Sequence, residues 1–267
     1  MGCICDKADV EIADREFKII RQFAKGGFSQ LFLVEELSTK KRWAMKRLDC
    51  HSDSDFRRVC REIEMHRRFG NHPNILALEA STKCKTAYGH QFDLIFEYFK
   101  KGSLQDELLR RRPNMDYLSE SRVIQIFSQI ANAVSVLHSS NPSIAHRDLK
   151  PGNVLFSSDD RPILMDFGSC CECPIYIKDY KESRIQLDEA GELCSMPYRA
   201  PELFSCEIGS CIDCSIDIWA HNYIFSLGCM LYALCFFRSM FDDIYERGDS
   251  IALAVQSPNI IIPKGQP

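Results

Sequence analysis

Residues 143–168 constrain the chain more than any other stretch. They hold His146-Arg147-Asp148-Leu149-Lys150-Pro151-Gly152-Asn153 and then Asp166-Phe167-Gly168. A carboxylate in a tight loop is followed two residues on by a lysine, three further by an amide, and thirteen after that by a second carboxylate. Phosphoryl transfer asks for these groups. It needs a base to orient an attacking hydroxyl, a cation for the moving phosphate, and two oxygen ligands for magnesium.

The chain around this stretch has 267 residues, 45% of them apolar and 26% charged, with a formal net charge of -4. That suits one large domain or two small lobes of a soluble globular protein. Its Lys and Arg are scattered among acids with no basic block, which argues against nucleic acid as a partner. There are 14 cysteines, but no apolar h-region follows Met1, so the thiols are read as reduced and intracellular. Cys170, Cys171 and Cys173 form one cluster, and Cys206, Cys211 and Cys214 a second. Cys211 and Cys214 make a Cys-x-x-Cys pair, but neither cluster has paired elements with the spacing of a structural zinc site, so buried or loop thiols are expected. Residues 219–237 are apolar enough to suggest a membrane span, yet they include His221, Asn222, Ser226 and Gly228. A central helix buried on all sides is expected there.

The N-terminus reads Met1-Gly2-Cys3-Ile4-Cys5-Asp6. Gly2, exposed by methionine removal, is an acceptor for N-myristoylation, and one acyl chain alone holds a protein weakly. Lys7 is surrounded by Asp6, Asp9 and Glu11, so a polybasic second signal is missing and Cys3 and Cys5 would supply it as palmitoyl thioesters. Asp6 departs from the usual Ser or Thr at that position. Residues 17–23 alternate as a strand does, then come Ala24-Lys25-Gly26-Gly27-Phe28-Ser29 and an apolar run over 31–34, which reads as strand, glycine loop, strand. Trp43-Ala44-Met45-Lys46 closes a third strand. The polar residues at 52–55 offer N-caps for a helix to about Phe69, and residues 92–97 read as a buried strand. Ser119 caps a helix whose Val123, Ile126, Phe127, Ile130, Val134 and Leu137 keep a helical period. The polar, helix-tolerant content of 181–193 predicts structure of its own in the interval after Asp166.

Taken in this order and at these intervals, the motifs resemble those of protein kinases over nearly the whole chain from Phe17 onward. Arg61-Glu62, Met65-His66, His72-Pro73-Asn74-Ile75-Leu76, Leu164-Met165-Asp166, Tyr198-Arg199-Ala200-Pro201-Glu202-Leu203-Phe204 and the run over 248–256 narrow the resemblance to the Numb-associated kinase family. The resemblance implies an α+β, two-lobed fold. A small lobe (17–99) would hold a five-stranded antiparallel sheet plus one helix, and a mainly helical large lobe (100–267) would be incomplete at its C-terminus, after an acylated flexible tail (1–16). It also implies ATP and Mg2+. The loop from Ala24 through Lys25, Gly26, Gly27 and Phe28 to Ser29 would fold over the phosphates although it departs from G-x-G-x-x-G. Leu31 and Ala44 would line the nucleotide and Lys46 would grip its phosphates. Glu62, with Glu64 as the alternative, would pair with Lys46. Glu97-Tyr98-Phe99 would be the hinge against the adenine edge, with Phe96 behind it. Asp148 would be the base, Lys150 would neutralise the transferred phosphate, and Asn153 and Asp166 would hold the metal.

Lys150, with Ser195 placed like the family's threonine, implies transfer to serine or threonine of protein substrates, with autophosphorylation between Asp166 and Glu202. It further implies residence on the cytoplasmic face of Golgi or plasma membranes through Gly2, Cys3 and Cys5, with some cytosolic protein. Two departures stand against this. Ala220-His221-Asn222-Tyr223-Ile224-Phe225 intervenes where Trp219 would run directly into Ser226, and six helical residues add about 9 Å and roughly 240° of rotation. If a helix absorbed them, Asp217 could not both keep its place under the catalytic loop and leave the stripe from Leu227 onward in register, so either the insert loops out or the lobe is misassembled. The chain also ends at Pro267 where the family continues, which would leave a buried Glu202 without its arginine, a loss of about 3–5 kcal/mol. The rival expectation is a membrane-tethered binding protein or pseudokinase.

Overall fold

The hairpin at the start of the chain sets the first sheet. In the computed structural model, which describes residues 8–25, 29–220, 223–224, 226–256 and 262, β1 (Val10–Ile12) turns back into β2 (Arg15–Lys25). Ala13 and Asp14 make the turn with φ of 51° and 60°, the left-handed pair that matches the twist of a two-residue hairpin. Then follow β3 (Ser29–Glu36), β4 (Arg42–Cys50), α1 (Asp53–Phe69), β5 (Leu78–Thr86) and β6 (Gly89–Glu97). The strands form one antiparallel sheet in the order β1-β2-β3-β4-β6-β5. It has six strands where the sequence leads one to expect five. The sixth comes from residues 10–12, in the stretch expected as tail. Ile12 explains it: fully buried beside Phe17, Val34, Trp43, Met45 and Ile95, it anchors the added strand by apolar burial.

α1 begins where the capping signal lies. Ser52 accepts from the Asp55 N–H at 3.1 Å while Asp55 accepts from the Ser52 N–H at 3.1 Å, a reciprocal capping box. Val59, Glu62, Ile63, Met65, His66 and Phe69 form the buried face, at the three- and four-residue spacing of one helical stripe. At its end Gly70 is required, because a Cβ there would meet the His66 carbonyl oxygen at 2.5 Å. These elements make up one compact unit, Met1–Lys100.

The second unit, Lys101–Pro267, is built around a long helix. α2 (Leu104–Arg111) has its own capping box between Ser103 and Asp106. α3 (Glu120–His138) starts at the Ser119 cap and buries Val123, Ile126, Ile130, Ala133, Val134 and Leu137. Full burial of such side chains is worth about 1.5–3 kcal/mol each before entropy is counted. Against it run β7 (Ser143–Ala145) and the hairpin of β8 (Val154–Phe156) with β9 (Pro162–Leu164). β10 (Cys171–Cys173) pairs antiparallel with β7, and β11 (Ile175–Tyr176) precedes α4 (Tyr180–Leu193), which Asp179 caps by accepting from the Glu182 N–H. The polar segment 181–193 thus does form a helix. α5 (Glu202–Ser205) and β12 (Cys211–Ile212), the partner of β11, complete this segment.

The apolar run 219–237 is not one helix. β13 (Trp219–Ala220) and β14 (Tyr223–Ile224) pair antiparallel, and α6 (Ser226–Phe236) starts only after them. The described residues of the intervening stretch form an extended excursion through β13 and β14. A Ser226 hydroxyl within hydrogen-bond distance of the Ile216 and Tyr198 carbonyls, at 3.2 and 3.0 Å, then seats the start of α6 on the segment before the excursion. Among the described residues no helix is long and apolar enough to cross a membrane. α7 (Asp242–Glu246) and α8 (Ile251–Gln256) pack together beyond it.

Candidate active site

The loop between β7 and β8 is held from below by one carboxylate. Asp217, fully buried, accepts from the backbone N–H of His146 at 2.5 Å and of Arg147 at 2.8 Å, and pairs with His138 Nε2 at 2.9 Å. Three donors on one acceptor satisfy a charge that burial would otherwise penalise. The short 3-10 turn Cys214–Asp217 that carries Asp217 is capped by Asp213, whose side chain accepts from the Ser215 N–H. Asp217 keeps this place because the chain after it leaves as β13 rather than continuing as helix. His138 was not legible as a partner, since 79 residues separate the two.

Above this anchor the loop is strained and cross-braced. Arg147 has φ 70° and Asp166 φ 66°, both left-handed without being glycine, a conformation that costs about 1–3 kcal/mol and persists only where its surroundings enforce it. His146 Nδ1 accepts from the Asp148 N–H at 3.3 Å and its Nε2 faces the Met165 carbonyl at 3.2 Å, which assigns the hydrogen to Nε2. The Ser169 hydroxyl donates to the His146 carbonyl at 2.6 Å. These bonds tie the loop to the segment that starts at Asp166.

The Asp148 carboxylate is the convergence point. Lys150 Nζ donates to Oδ2 at 2.7 Å and Asn153 Nδ2 to the same oxygen at 2.9 Å, while the Ser195 N–H donates to Oδ1 at 2.8 Å. Lys150 Nζ also reaches the Ser195 hydroxyl at 2.5 Å. The Ser195 backbone donor has no sequence signal, because any residue there supplies an N–H. Asn153 spends its amide hydrogens on Asp148, the second at 2.8 Å on the backbone carbonyl, so its orientation is fixed and its oxygen is turned away. The β8–β9 register, Val154 opposite Leu164, continues through a Met165 N–H to Asn153 carbonyl bond of 2.9 Å, so Asp166 follows directly on a residue tied to Asn153.

Arg147 lies beneath, its side chain 1% exposed, 3.3 Å from Glu189 of α4. Burial works against its charge, yet its pKa is raised because the Cys171 and Cys194 thiols and Glu189 surround it. Glu202 has a buried Oε2 without a hydrogen-bond partner among the described residues.

In the first unit, Lys46 Nζ meets Glu62 Oε1 at 2.6 Å, with side chains 16% and 3% exposed, while Glu64 faces solvent. The sheet register sets Ala24 opposite Leu31, Leu31 opposite Lys46, and Ala44 opposite Phe96. Opposed residues share a face and alternate residues return to it, so these five lie on one side of the sheet, the side from which α1 presents Glu62. Phe96 is buried against the His66 ring at 4.7 Å, whereas Glu97 is exposed and Phe99 half-buried. Lys25 and Ser29 end the two strands that flank the glycine loop, with Lys25 opposite Gln30. Gly26, Gly27 and Phe28 lie outside the described residues, as do Gly2, Cys3 and Cys5.

The sequence pattern described as the protein kinase domain matches residues 17–261. Human serine/threonine-protein kinase 16 is 36% identical over 255 residues, covering 96% of this chain and 81% of the relative. The rat protein of the same name is 36% identical over 262 residues, covering 98% and 83%. Serine/threonine-protein kinase ppk13 of Schizosaccharomyces pombe is 30% identical over 295 residues, covering 98% and 84%.

Proposed function

The chain belongs to the protein kinase domain family and is an ATP-dependent serine/threonine protein kinase, and from that premise we propose that Asp148 orients and deprotonates the acceptor hydroxyl. The observation that carries this is the fixed Asp148 carboxylate, gripped by Lys150, Asn153 and the Ser195 N–H, with an ammonium alongside it for the transferred phosphoryl. Held in place by these donors, the carboxylate is positioned to take a hydroxyl proton as the oxygen attacks. Lys150 spreads the charge that develops on the phosphoryl oxygens.

The donor set fits magnesium. Asn153 offers an amide oxygen and Asp166 a carboxylate, both hard ligands, and Mg2+ characteristically takes one or two carboxylates and completes its shell with water and phosphate oxygens. Bound there, the ion would neutralise the nucleotide phosphates. Lys46, set by Glu62, is the cation suited to ATP phosphates in the first unit. Ala24, Leu31, Ala44 and Phe96 give an apolar surface for the base, and the backbone at Glu97 and Phe99 gives polar groups for its edge.

The protein further acts on itself between Asp166 and Glu202, and sits on the cytoplasmic face of Golgi or plasma membranes, with some cytosolic protein. Myristoyl at Gly2 and palmitoyl at Cys3 and Cys5 would supply the two signals that stable anchoring needs. Purified chain with labelled ATP and magnesium should accumulate phosphoserine or phosphothreonine, and chelation of the metal should stop it. Labelling that persists in excess chelator would refute the metal assignment. In cells, Gly2→Ala should move the protein from the membrane to the soluble fraction, and an unchanged distribution would refute the acylation.

A further inference from the structure

Cys173 and Cys214 bracket the segment that contains α4 and Ser195. β11 and β12 pair with Ile175 opposite Ile212 and Tyr176 opposite Cys211. Just beyond that pairing, the Cys173 and Cys214 thiols hydrogen-bond to each other. Two thiols in hydrogen-bond contact need only a small approach to reach the roughly 2 Å S–S separation of a disulfide. Both cysteines line one cavity of about 590 Å³, together with His138, Ser143, Tyr176 and Cys211. Small polar molecules can therefore reach a pair of thiols already in position.

A third thiol stands behind them. Cys171 lies on the same face of β10 as Cys173, with the two sulfurs 4.0 Å apart. Beyond it is the buried guanidinium of Arg147, whose Nε and Nη2 make no regular hydrogen bond among the described residues. The Cys173 thiol and this cation bring Cys171 down to about 7 against its burial, whereas burial pushes Cys214 up to about 11. Cys171 and Cys173 thus share one proton near neutrality. The charge rests on Cys171, while its hydrogen bond to Cys171 and burial push Cys173 well up, so Cys173 becomes the nucleophile as the Cys171 thiolate takes its proton.

We infer that Cys173 and Cys214 are a reversible dithiol–disulfide pair, oxidised by hydroperoxides that enter the cavity, which closes the activation segment into a covalent loop. Cys173 sulfur attacks the peroxide, and its proton passes through Cys171 to the departing hydroxide, giving a Cys173 sulfenic acid and water. The Cys214 thiol then displaces the sulfenic hydroxyl as a second water, forming the S–S bond. The peroxide is reduced and the two thiols are oxidised by the two electrons it accepts. A dithiol reductant reverses the step.

The test uses the reduced full chain treated with hydrogen peroxide, then alkylated and mapped by mass spectrometry without reduction. The linked Cys173–Cys214 peptide pair should appear, lighter by two hydrogens, and vanish with dithiothreitol. The oxidised chain should also melt at a higher temperature than the reduced one, because the cross-link restricts the unfolded state. Cys214→Ser should abolish the link and leave reduced-state phosphotransfer unchanged, and Cys171→Ser should slow its formation about 10-fold, the loss expected without the shared proton. Should a variant not fold, mapping of the wild type decides alone. The proposal is overturned if Cys173 and Cys214 remain alkylatable under peroxide that oxidises the exposed Cys60 and Cys84, if either links elsewhere, or if oxidised and reduced chains melt together. The mapping does not depend on phosphotransfer and is independent of the kinase assignment.

Discussion

Replacing Asp217 by asparagine isolates the anchor under the catalytic loop. The amide keeps the shape of the carboxylate but exchanges one acceptor oxygen for an NH2 group. If nitrogen takes the Oδ2 position it opposes the His146 N–H and His138, and if it takes Oδ1 it opposes the Arg147 N–H. Either way at least one buried donor is left unmatched, at about 1–3 kcal/mol, and the remaining bonds lose the charge that makes each worth about 1.5–3 kcal/mol. The sum is roughly 2–5 kcal/mol of a total that is typically about 5–15 kcal/mol. For a chain of this size the melting temperature should fall by about 5–15 °C. Urea titration followed by circular dichroism measures the loss, and steady-state kinetics should show kcat down by at least about 10-fold, equivalent to about 1.4 kcal/mol of lost positioning. KM for ATP should stay within about 2-fold, a free-energy change below roughly 0.5 kcal/mol, since Lys46 and Glu62 are untouched. A loss under about 0.5 kcal/mol, the range of a surface substitution, with kcat unchanged would show that Asp217 does not hold the loop.

Glu62→Gln removes the charge that sets Lys46 while keeping the side chain's size. With a charge-assisted bond at stake, kcat/KM for ATP should drop roughly 10- to 100-fold, and an ATP titration showing no change would contradict the pairing. Glu36 is held down to about 2 from 4.5, first by its hydrogen bond from Arg15 at 2.7 Å, with Thr39 and Trp43 adding donors. Its folded-state pKa lies below the unfolded one, so its contribution to stability is full above about pH 4.5 and fades as pH falls toward 2. Urea midpoints should therefore fall more steeply for wild type than for Glu36→Gln across that window, and parallel curves would refute the assignment.

Much of the fold was legible where local chemistry decides it. Ser52 and Ser119 cap helices at the positions their sequences indicate, and the period of Val123 to Leu137 is the buried stripe of α3. The catalytic loop was readable because its residues are close in sequence. What escaped depends on burial or on backbone. Val10-Glu11-Ile12 is too short to announce a strand, and Ala13-Asp14 is no signature turn, so β1 became visible only when Ile12 met Phe17. The apolar run 219–237 has the composition of a helix throughout, and nothing local shows that its first residues turn back as a hairpin. Non-local requirements decide this: Asp217 must reach the His146 and Arg147 N–H groups while Ser226 meets Ile216. The Ser195 N–H on Asp148 belongs to the same class, a backbone group 47 residues away.

The central claim is that the Asp148 carboxylate performs the transfer. Asp148→Asn keeps the side chain's volume and its neighbours but removes the proton acceptor. Incubated with labelled ATP, magnesium and a generic serine-containing acceptor protein, wild type should transfer label to itself and to the acceptor. The variant should bind ATP with unchanged affinity and transfer at a rate lower by at least about 100-fold, the scale of a lost general base. Equal label incorporation by the two proteins would contradict the account.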